Sequence, residues 1–276
     1  MDNMKKTPLL QVEKLAIGFS QYLKGTKKRV IQPIADLHVD ISEGEIVAVV
    51  GASGSGKSLL AHAILGILPG NAICEGHITY RGGELTQERK CKLRGKEISF
   101  IPQSVNYLDP LMPVGKQVQI GLGKGDAKRK QLELFKQYDL QERDSRLFPY
   151  ELSGGMLRRV LFATSVRQGI RLVIADEPTP GIHPQALSEI LKQLKAFADN
   201  GAGVMLITHD IMSALEIADR VAVIQDGRTV EISEASAFKG NGQRLQTDYT
   251  RRLWRALPQN DFDLEFQKEG GNASCL

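Results

Sequence analysis

The residues from 51 to 58 combine glycines, serines and a lysine at a spacing that suits phosphate binding. Their sequence, GASGSGKS, fits G-x-x-x-x-G-K-[ST] at every fixed position. Glycines let the backbone curl so that successive N–H groups point at one centre, and a helix that follows adds its positive N-terminal end. The segment predicts a loop that holds a nucleoside triphosphate, which we expect to be ATP, with Mg²⁺. The predicted nucleotide-binding residues are Gly51, Ser53, Gly54, Ser55, Gly56, Lys57 and Ser58.

Lys57 and Ser58 each have a definite chemical use beside a triphosphate. Lys57 would reach the β- and γ-phosphates as a point charge, and the Ser58 hydroxyl would ligate Mg²⁺. A Gly/Ser turn could match the pattern by chance. However, the apolar run EIVAVV precedes the loop and the apolar, helix-compatible run SLLAHAILGIL begins with its last residue. This context favours the phosphate loop.

Two adjacent carboxylates, Asp176 and Glu177, follow another apolar run, LVIA. A phosphate loop needs an acidic residue at the end of a neighbouring strand to hold the metal ion. We expect Asp176 to hold Mg²⁺ and Glu177 to orient and deprotonate the attacking water. The alternative, a solvated pair of loop carboxylates, is disfavoured by the apolar run before them and by Pro178 after them.

The elements that must position these residues alternate between strands and helices, which predicts an α/β fold with helices on both faces of a parallel sheet. The short apolar runs are typical of strands buried on both faces, and 184–200 has apolar residues at helical spacing. The stretch 9–19 alternates apolar and polar residues, and we expect it to be an edge strand paired with 34–41. The predicted strands are 9–19, 34–41, 45–50, 76–80, 96–101, 171–175, 204–208 and 221–225.

A polar, Lys/Gln-rich stretch between about 113 and 150 interrupts this alternation and predicts a helical subdomain, which we place at about 104–165. We expect one domain over residues 1–258 with this subdomain inserted. Residues 259–276 are expected to form a mobile acidic tail.

Composition sets the class of protein and the compartment. The chain has 276 residues, 42% hydrophobic and 25% charged, with a net charge of +4, which is typical of a globular protein and does not by itself indicate nucleic-acid binding. Cys74, Cys91 and Cys275 lack metal-ligand spacing, so we expect free thiols in a reducing compartment. No apolar run is long enough for a secretory signal or a membrane span, so a cytosolic chain that reaches a membrane through a partner is expected.

Further segments resemble the ATP-binding cassette (ABC) ATPases. LSGGM at 152–156 is similar to the signature motif of that family, Gln103 in FIPQ to its Q-loop glutamine, and His209 in LITHD to its switch histidine. With the phosphate loop and the two carboxylates, these motifs occur in the order of the family over roughly residues 9–230. The resemblance implies a P-loop NTPase fold with a parallel core sheet, an antiparallel β subdomain and an inserted helical subdomain.

The resemblance also implies roles for single residues. Taken alone, Gln103 would be read as a surface amide and His209 as a satisfied core histidine, but their order with the other motifs reverses both readings. The aromatic residue that stacks on adenine is best matched by Phe19, with Tyr22 as the alternative. The implied catalytic residues are Glu177, His209 and Gln103, and the implied metal-site residues are Ser58, Gln103 and Asp176.

The signature segment adds a second anion-binding surface, because a serine and two glycines stand where a helix begins. In the family two subunits dimerise head to tail, so that each ATP lies between the loop of one subunit and the signature of the other. The residues that would serve the partner's nucleotide are Leu152, Ser153, Gly154 and Gly155.

Three segments are similar to the oligopeptide, dipeptide and nickel importer branch of the family. They are FPYELSGGM at 148–156, with Met for the usual Gln, YLDPLMPVG at 107–115, and DYTRRLWRALP at 248–258, with Asp248 where Pro is usual. Some relatives carry a C-terminal cysteine cluster for iron–sulfur binding. This chain has only Cys275 near its end, so we expect no cluster and slightly favour a nickel or metallophore system over a typical peptide importer.

The D-loop of the family usually reads Ser-Ala-Leu-Asp after the glutamate, but this chain has Pro180-Gly-Ile-His183. We hypothesise that His183 does not replace the aspartate contact across the dimer interface. This favours a heterodimer with a second, non-identical ATPase subunit, although a homodimer stays open. Equal hydrolysis at both sites of the assembled complex would count against it.

The predicted function is the ATP-hydrolysing subunit of an importer on the cytoplasmic face of the membrane, bound to transmembrane permeases and served by an extracytoplasmic binding protein. The cargo is expected to be a peptide, nickel or a metal chelate. One alternative is a soluble ABC ATPase that acts on ribosomes or nucleic acid, but the chain has one cassette, no sustained heptads and no strong basic block. Another is an exporter subunit, which the C-terminal segment disfavours.

Overall fold

The computed structural model describes residues 8–22, 28–123, 125–165, 167, 169–178 and 184–257. The strands of this part are β1 (Leu10–Tyr22), β2 (Lys28–Ile41), β3 (Ile46–Gly51), β4 (Ala72–Tyr80), β5 (Gly83–Glu84), β6 (Ile98–Ile101), β7 (Leu172–Asp176), β8 (Gly203–Thr208), β9 (Arg220–Gln225) and β10 (Arg228–Glu234). The α-helices are α1 (Lys57–Leu65), α2 (Gln87–Leu93), α3 (Val114–Gln119), α4 (Ala127–Gln137), α5 (Gly154–Ser165), α6 (Pro184–Asp199), α7 (Ile211–Leu215) and α8 (Asp248–Arg255).

The strands form one sheet in the order β5-β4-β1-β2-β10-β9-β3-β8-β7-β6. From β9 to β6 every neighbouring pair is parallel, whereas β1, β2, β4 and β5 pair antiparallel. The two parts meet at a single register pair, Arg228 with Asp36. The predicted parallel core sheet with an antiparallel β subdomain is therefore confirmed.

The expectation that 9–19 forms an edge strand is wrong. β1 lies between β2 and β4 and pairs with both, and β5 is the outer strand of this part of the sheet. Alternation of apolar and polar residues reports one buried face and one exposed face, which an interior antiparallel strand has as well. The pattern therefore could not distinguish the two positions.

The sheet separates two hydrophobic cores, and β3 contributes to both of them. Its six residues are all buried. Ile46 and Ala48 belong to the core formed with α5, α6 and α8, whereas Val47 and Val49 belong to the core formed with α1 and the antiparallel strands. Burial on both faces explains why this strand reads as a continuous apolar run. Because β3 is packed on both faces, it holds the start of the phosphate loop in place.

The segment predicted as a helical subdomain contains α3, α4 and α5 and three 3₁₀ turns, Val105–Tyr107, Glu142–Arg146 and Pro149–Glu151. Its buried side chains, among them Phe135 and Phe162, join the core that also holds α6. The boundaries at 104 and 165 and the extent of the domain to 258 stay predictions, and the tail at 259–276 lies outside the described residues. Of the helices described, none is both long and apolar enough to cross a membrane.

A buried carboxylate, Glu231 on β10, holds the start of α8 against the sheet. Glu231 is 5% exposed and accepts hydrogen bonds from the backbone N–H groups of Gln246 (2.8 Å) and Thr247 (2.9 Å). The hydroxyls of Thr247 and Ser233 also donate to it. Burial opposes ionisation, but these hydrogen bonds outweigh it and lower the pKa of Glu231 to about 2.

We expect Glu231→Gln to lower the free energy of unfolding at pH 7 by on the order of 2 kcal/mol, because its amide nitrogen would face N–H and O–H donors. The folded pKa lies below the ordinary value of 4.5. The stabilisation is therefore complete above that value and is lost as the pH falls toward 2. Urea unfolding of both proteins between pH 7 and pH 3 should show a flatter pH dependence for the variant. The control is Glu88→Gln, since Glu88 is 78% exposed; parallel pH profiles for Glu231→Gln and wild type would contradict the assignment.

Candidate functional site

The carboxyl ends of four parallel strands bring the predicted site residues to one edge of the sheet. β3 ends at Gly51 and β7 at Asp176, His209 follows β8 directly, and Gln103 lies two residues after β6. The order β3-β8-β7-β6 places these ends side by side. Residues from four distant stretches of the chain thus share an edge, which is where open α/β sheets bind their ligands.

The phosphate loop needs its glycines for two different reasons. Gly51 lies against the backbone of β9, where a Cβ atom would be 2.2 Å from the Ile224 carbonyl oxygen. Gly54 and Gly56 have φ of 80° and 99°, in the left-handed region that side chains disfavour. Helix α1 begins directly after Gly56. The loop therefore has the curled backbone and the helix N-terminus that the sequence predicted.

The side chains within the loop leave polar groups that a bound anion would satisfy. Lys57 is 6% exposed, and its ammonium donates to the carbonyl oxygens of Gly51 and Ala52, each at 2.9 Å. Burial lowers the pKa of Lys57, while the nearby Glu177 and Asp176 carboxylates act in the opposite direction. Ser55 Oγ is buried and has no hydrogen-bond partner in the described part of the chain. A phosphate in the loop would give both groups an acceptor.

Ser58 and Asp176 are adjacent, as a shared magnesium ion would require. The Ser58 hydroxyl donates to Asp176 Oδ1 at 3.2 Å, and Asp176 is 4% exposed. Burial raises the pKa of Asp176, and a bound cation would favour the ionised form. Within the described ranges no group of three or more His, Cys, Asp or Glu side chains could hold a metal. Mg²⁺ typically takes one or two carboxylates plus phosphate oxygens and water, and Ser58 with Asp176 suits that.

Glu177 and His209 form a close pair at the same edge. His209 Nδ1 lies 2.5 Å from Glu177 Oε2, with Glu177 12% and His209 60% exposed at the side chain. The backbone of Glu177 has φ of 46°, which is uncommon for a residue with a side chain and occurs at functional sites. Its N–H donates to the Ile207 carbonyl oxygen of β8 at 2.8 Å. Two neighbouring strands therefore fix this carboxylate.

Gln103 is exposed, and its backbone is tied to the signature helix α5. Arg158 Nη1 donates to the Gln103 carbonyl oxygen at 3.0 Å, and burial lowers the pKa of Arg158. The sequence did not single out Arg158. It lies on the helix that starts with the signature glycines, but its partner is 55 residues away in the chain and only the fold reveals it.

The signature segment begins helix α5 and faces away from its own chain. Ser153 Oγ accepts from the Met156 N–H at 3.3 Å, as a helix-capping serine does. Leu152 is buried, whereas Gly154 and Gly155 are exposed, and a Cβ added at either would meet no atom within 4 Å. The packing of this chain therefore does not require the two glycines, and in the described residues no hydrogen bond joins Ser153–Gly155 to the phosphate loop.

The remaining predicted residues are described only in part. Phe19 lies on β1, paired with Ile31 and Ala72, and packs half-buried against the core beneath α1. Tyr22 belongs to the same strand, but its side chain is outside the described residues, so the choice between the two aromatics stays open. The D-loop residues Pro180–His183 and Cys275 also lie outside the described part.

Comparison with known proteins gives consistent matches. Residues 34–180 match the family described as "ABC transporter". The chain is 37% identical over 239 residues to the oligopeptide transport ATP-binding protein OppD of Mycobacterium bovis, which covers 82% of this chain but only 38% of that protein. It is 31% identical over 272 residues to the dipeptide transport ATP-binding protein DppD of Escherichia coli, covering 93% and 80%. The chain thus spans well under half the length of the mycobacterial relative.

Two solved structures share the fold. A dimeric ABC transporter cassette named MJ0796 has a TM-score of 0.69 at 24% identity, with 82% of this chain and 98% of that chain covered. The same protein in a post-hydrolysis state bound to ADP and phosphate has a TM-score of 0.70 with the same identity and coverage. Together with the motifs at the carboxyl edge of the sheet and the relatives at 30% identity or above, these matches establish that the chain belongs to the ABC transporter ATP-binding family.

Proposed function

We propose that this chain is an ATP-hydrolysing subunit of an importer that takes up peptides, or a related small cargo, across the cytoplasmic membrane. The observation that carries the hydrolytic part is the grouping of Lys57, Ser58, Asp176, Glu177 and His209 at one sheet edge, with Ser58 and Asp176 in contact. Phosphoryl transfer to water requires a cation, a metal site and a general base, and this group of residues offers a candidate for each.

Each residue has a role that its surroundings support. The backbone N–H groups of the loop and Lys57 would hold the β- and γ-phosphates, and Ser58 and Asp176, with Gln103 nearby in sheet order, would hold Mg²⁺. When bound, Mg²⁺ neutralises charge on the phosphate oxygens. Glu177 would orient a water molecule and take its proton. His209 would keep the Glu177 carboxylate in place through Nδ1, leaving Nε2 to face the terminal phosphate.

A second subunit would complete the site. Ser153, Gly154 and Gly155 present a capped helix N-terminus and bare backbone that their own chain does not cover, and such a surface suits the phosphates held by a partner. The solved cassettes that share the fold are dimers, and we propose the same here. The heterodimer favoured from the His183 position is part of this proposal, with a homodimer as the alternative.

The permease would dock beside the Q-loop. Tyr107, Leu111 and Tyr150 are 62%, 84% and 73% exposed, and apolar side chains so exposed are typical of interaction surfaces when they cluster. Tyr150 stacks on Phe148 at 5.6 Å between ring centroids. This surface would hold the chain at the cytoplasmic face of the membrane. An extracytoplasmic binding protein would act on the permease, and no nucleic acid is involved.

The relatives named above favour peptides as the cargo. They are called oligopeptide and dipeptide transport proteins, and a further relative from Agrobacterium fabrum, 33% identical over 276 residues, is named for peptidoglycan transport. None of these names supports the nickel or metallophore cargo that the C-terminal segment slightly favoured. Nickel therefore stays a prediction, and we propose a peptide first.

The hydrolytic function is tested by phosphate release from the purified chain. We expect ATP to be hydrolysed only when Mg²⁺ is present and EDTA to abolish the reaction, because Ser58 and Asp176 carry no positive charge that could replace that of the ion on the phosphate oxygens. Turnover should rise more than linearly with protein concentration if two chains share each site. The proposal would be overturned by saturable Mg²⁺-ATP binding with no release of phosphate, both by this chain alone at any concentration and by the complex assembled with its partner subunit.

A further inference from the structure

A cavity of about 530 Å³ lies between the helical segment and the sheet. Its walls come from Gly95 and Lys96 before β6, from α4 and the loop before it, from Arg167 after α5, and from Phe197 on α6. Cavities of 300–1,000 Å³ with apolar walls and a few polar groups are the usual form of small-molecule sites. An occupant would touch both the helical segment and the core.

This cavity is at the opposite end of the strands from the nucleotide site. Gly95 and Lys96 precede β6, which runs parallel to β7, so the cavity lies at the amino ends of these strands. The phosphate loop and Asp176 follow the carboxyl ends. The cavity is therefore a separate site, and none of the residues assigned to ATP or Mg²⁺ lines it.

A buried tyrosine, Tyr138, forms part of one wall of the cavity. Tyr138, at the end of α4, is 2% exposed, and its Oη makes no hydrogen bond within the described part of the chain. Its ring packs against Phe162 at 6.3 Å between centroids, which fixes its position. Buried polar groups in folded proteins nearly always have a partner, because an unpaired one is costly. The Tyr138 oxygen has almost no accessible surface, so an occupant of the cavity would pack beside this residue and would not bond to Oη.

A half-buried cation lies in a second wall. The Arg167 guanidinium fits against Gly121, where a Cβ atom would be 2.5 Å from Nη1, and it donates to the Ile120 carbonyl oxygen. Burial lowers the pKa of Arg167, and among the described residues no carboxylate pairs with it. A buried guanidinium is normally paired with an anion. A half-buried one without a carboxylate therefore marks where an anion would be stabilised.

The other residues of the cavity define the chemical class of the ligand. Leu122, Leu134 and Phe197 supply apolar surface. Lys96 and Lys130 add positive charge, whereas Glu133, the acidic residue of the lining, is already within 3.3 Å of Arg129. Positive charge is thus in excess beside an apolar wall.

We propose that this cavity binds a small carboxylate with an aromatic or branched apolar body. Its carboxylate would pair with Arg167, and its apolar body would pack on Leu134 and Phe197. The proposal concerns a second ligand site and does not depend on ATP hydrolysis. Both subunits of a dimer would carry it where both are copies of this chain.

The test uses 3-phenylpropionate as the probe and 3-phenylpropionamide and inorganic phosphate as comparisons, titrated into the full chain and followed by ligand-observed NMR. We expect saturable binding of the carboxylate with a dissociation constant in roughly the millimolar range for a ligand of this size. The amide, which has the same shape without the charge, and phosphate, which lacks the apolar body, should bind at least about tenfold more weakly.

Two variants separate a ligand role from a structural one. Tyr138→Phe removes a hydroxyl that an occupant cannot reach and keeps the ring, so its melting temperature should equal or exceed that of wild type and its affinity for 3-phenylpropionate should be unchanged. Arg167→Gln should lower that affinity by roughly tenfold or more, whereas Lys92→Gln, on an exposed lysine outside the cavity, should not change it. No saturable binding, equal binding of the carboxylate, the amide and phosphate, or full affinity in Arg167→Gln would each overturn the proposal.

Discussion

Replacing Glu177 with Gln should leave ATP binding intact and reduce turnover by roughly 10²-fold or more, the scale of a general base. Glutamine has the same shape, and its Oε1 can still accept the hydrogen bond from His209 Nδ1, which lies 2.5 Å from the carboxylate in the wild-type chain. The backbone at φ 46° and the N–H bond to Ile207 are unaffected by the exchange. What is lost is the ability to take a proton from water.

Two assays distinguish this outcome from simple damage. Equilibrium titration of ATP should give the wild-type affinity, and single-turnover phosphate release should show the loss in the chemical step. Because ATP would bind without being consumed, a concentration-dependent dimer should accumulate in the presence of Mg²⁺-ATP. Glu189→Gln, the same exchange at an exposed position on α6, serves as the control and should behave as wild type. Wild-type turnover in Glu177→Gln would remove this residue from the role of base.

The sequence predicted best where one physical constraint dominates. Strands buried on both faces are continuous apolar runs, so β3, β7, β8 and β9 were located within about two residues. Helix α6 was also found, because its apolar residues recur at helical spacing. The phosphate loop was found because its geometry requires glycine at fixed positions. The Ile224 carbonyl leaves no room for a side chain at Gly51, and Gly54 and Gly56 have positive φ.

Elements that lack an apolar pattern, or that form through contacts with other elements, were missed. Helix α2 has the sequence QERKCKL and no buried residue, so it carries no apolar period, and a Thr86 cap stabilises its start. Strand β10 became visible only through its pairing with β9, and α8 through the Glu231 hydrogen bonds. The sequence could not show whether β1 is an interior or an edge strand, because the residues of one strand do not specify which strands lie beside it.

For the candidate site, the sequence predicted which residues take part, and the fold showed which of their side chains are in contact. The resemblance selected Glu177 and His209, but only the positions of β7 and β8 as neighbours put their side chains in contact. Likewise, Arg158 reaches the Gln103 backbone from the signature helix, which links the Q-loop to the helical segment in a way that no sequence spacing shows. Residues that are far apart in the sequence form one site because the order of the strands in the sheet brings them together.

Replacing Lys57 with Ala should weaken ATP binding by about 10- to 100-fold, since a charge-assisted contact with a phosphate is worth roughly 1.5–3 kcal/mol. The ammonium is 6% exposed and already points along the loop, donating to Gly51 and Ala52 at 2.9 Å. Those bonds also mean that some of the loss could come from a disturbed loop. Melting temperatures without nucleotide measure that part, and Lys92→Ala, which removes a 69% exposed lysine paired with Glu88, is the control.

The identity of the nucleotide separates the two contributions. Lys57 would act on the β- and γ-phosphates, so its loss should weaken ATP strongly and AMP, which lacks both, little or not at all. A disturbed loop would instead weaken every nucleotide that uses the backbone N–H groups. The affinities of wild type and Lys57→Ala for ATP, ADP and AMP, measured by fluorescence or calorimetric titration, therefore show which phosphates the Lys57 ammonium contacts. Unchanged ATP affinity in a folded Lys57→Ala would undercut the phosphate-loop assignment itself, because no other described cation lies within this loop.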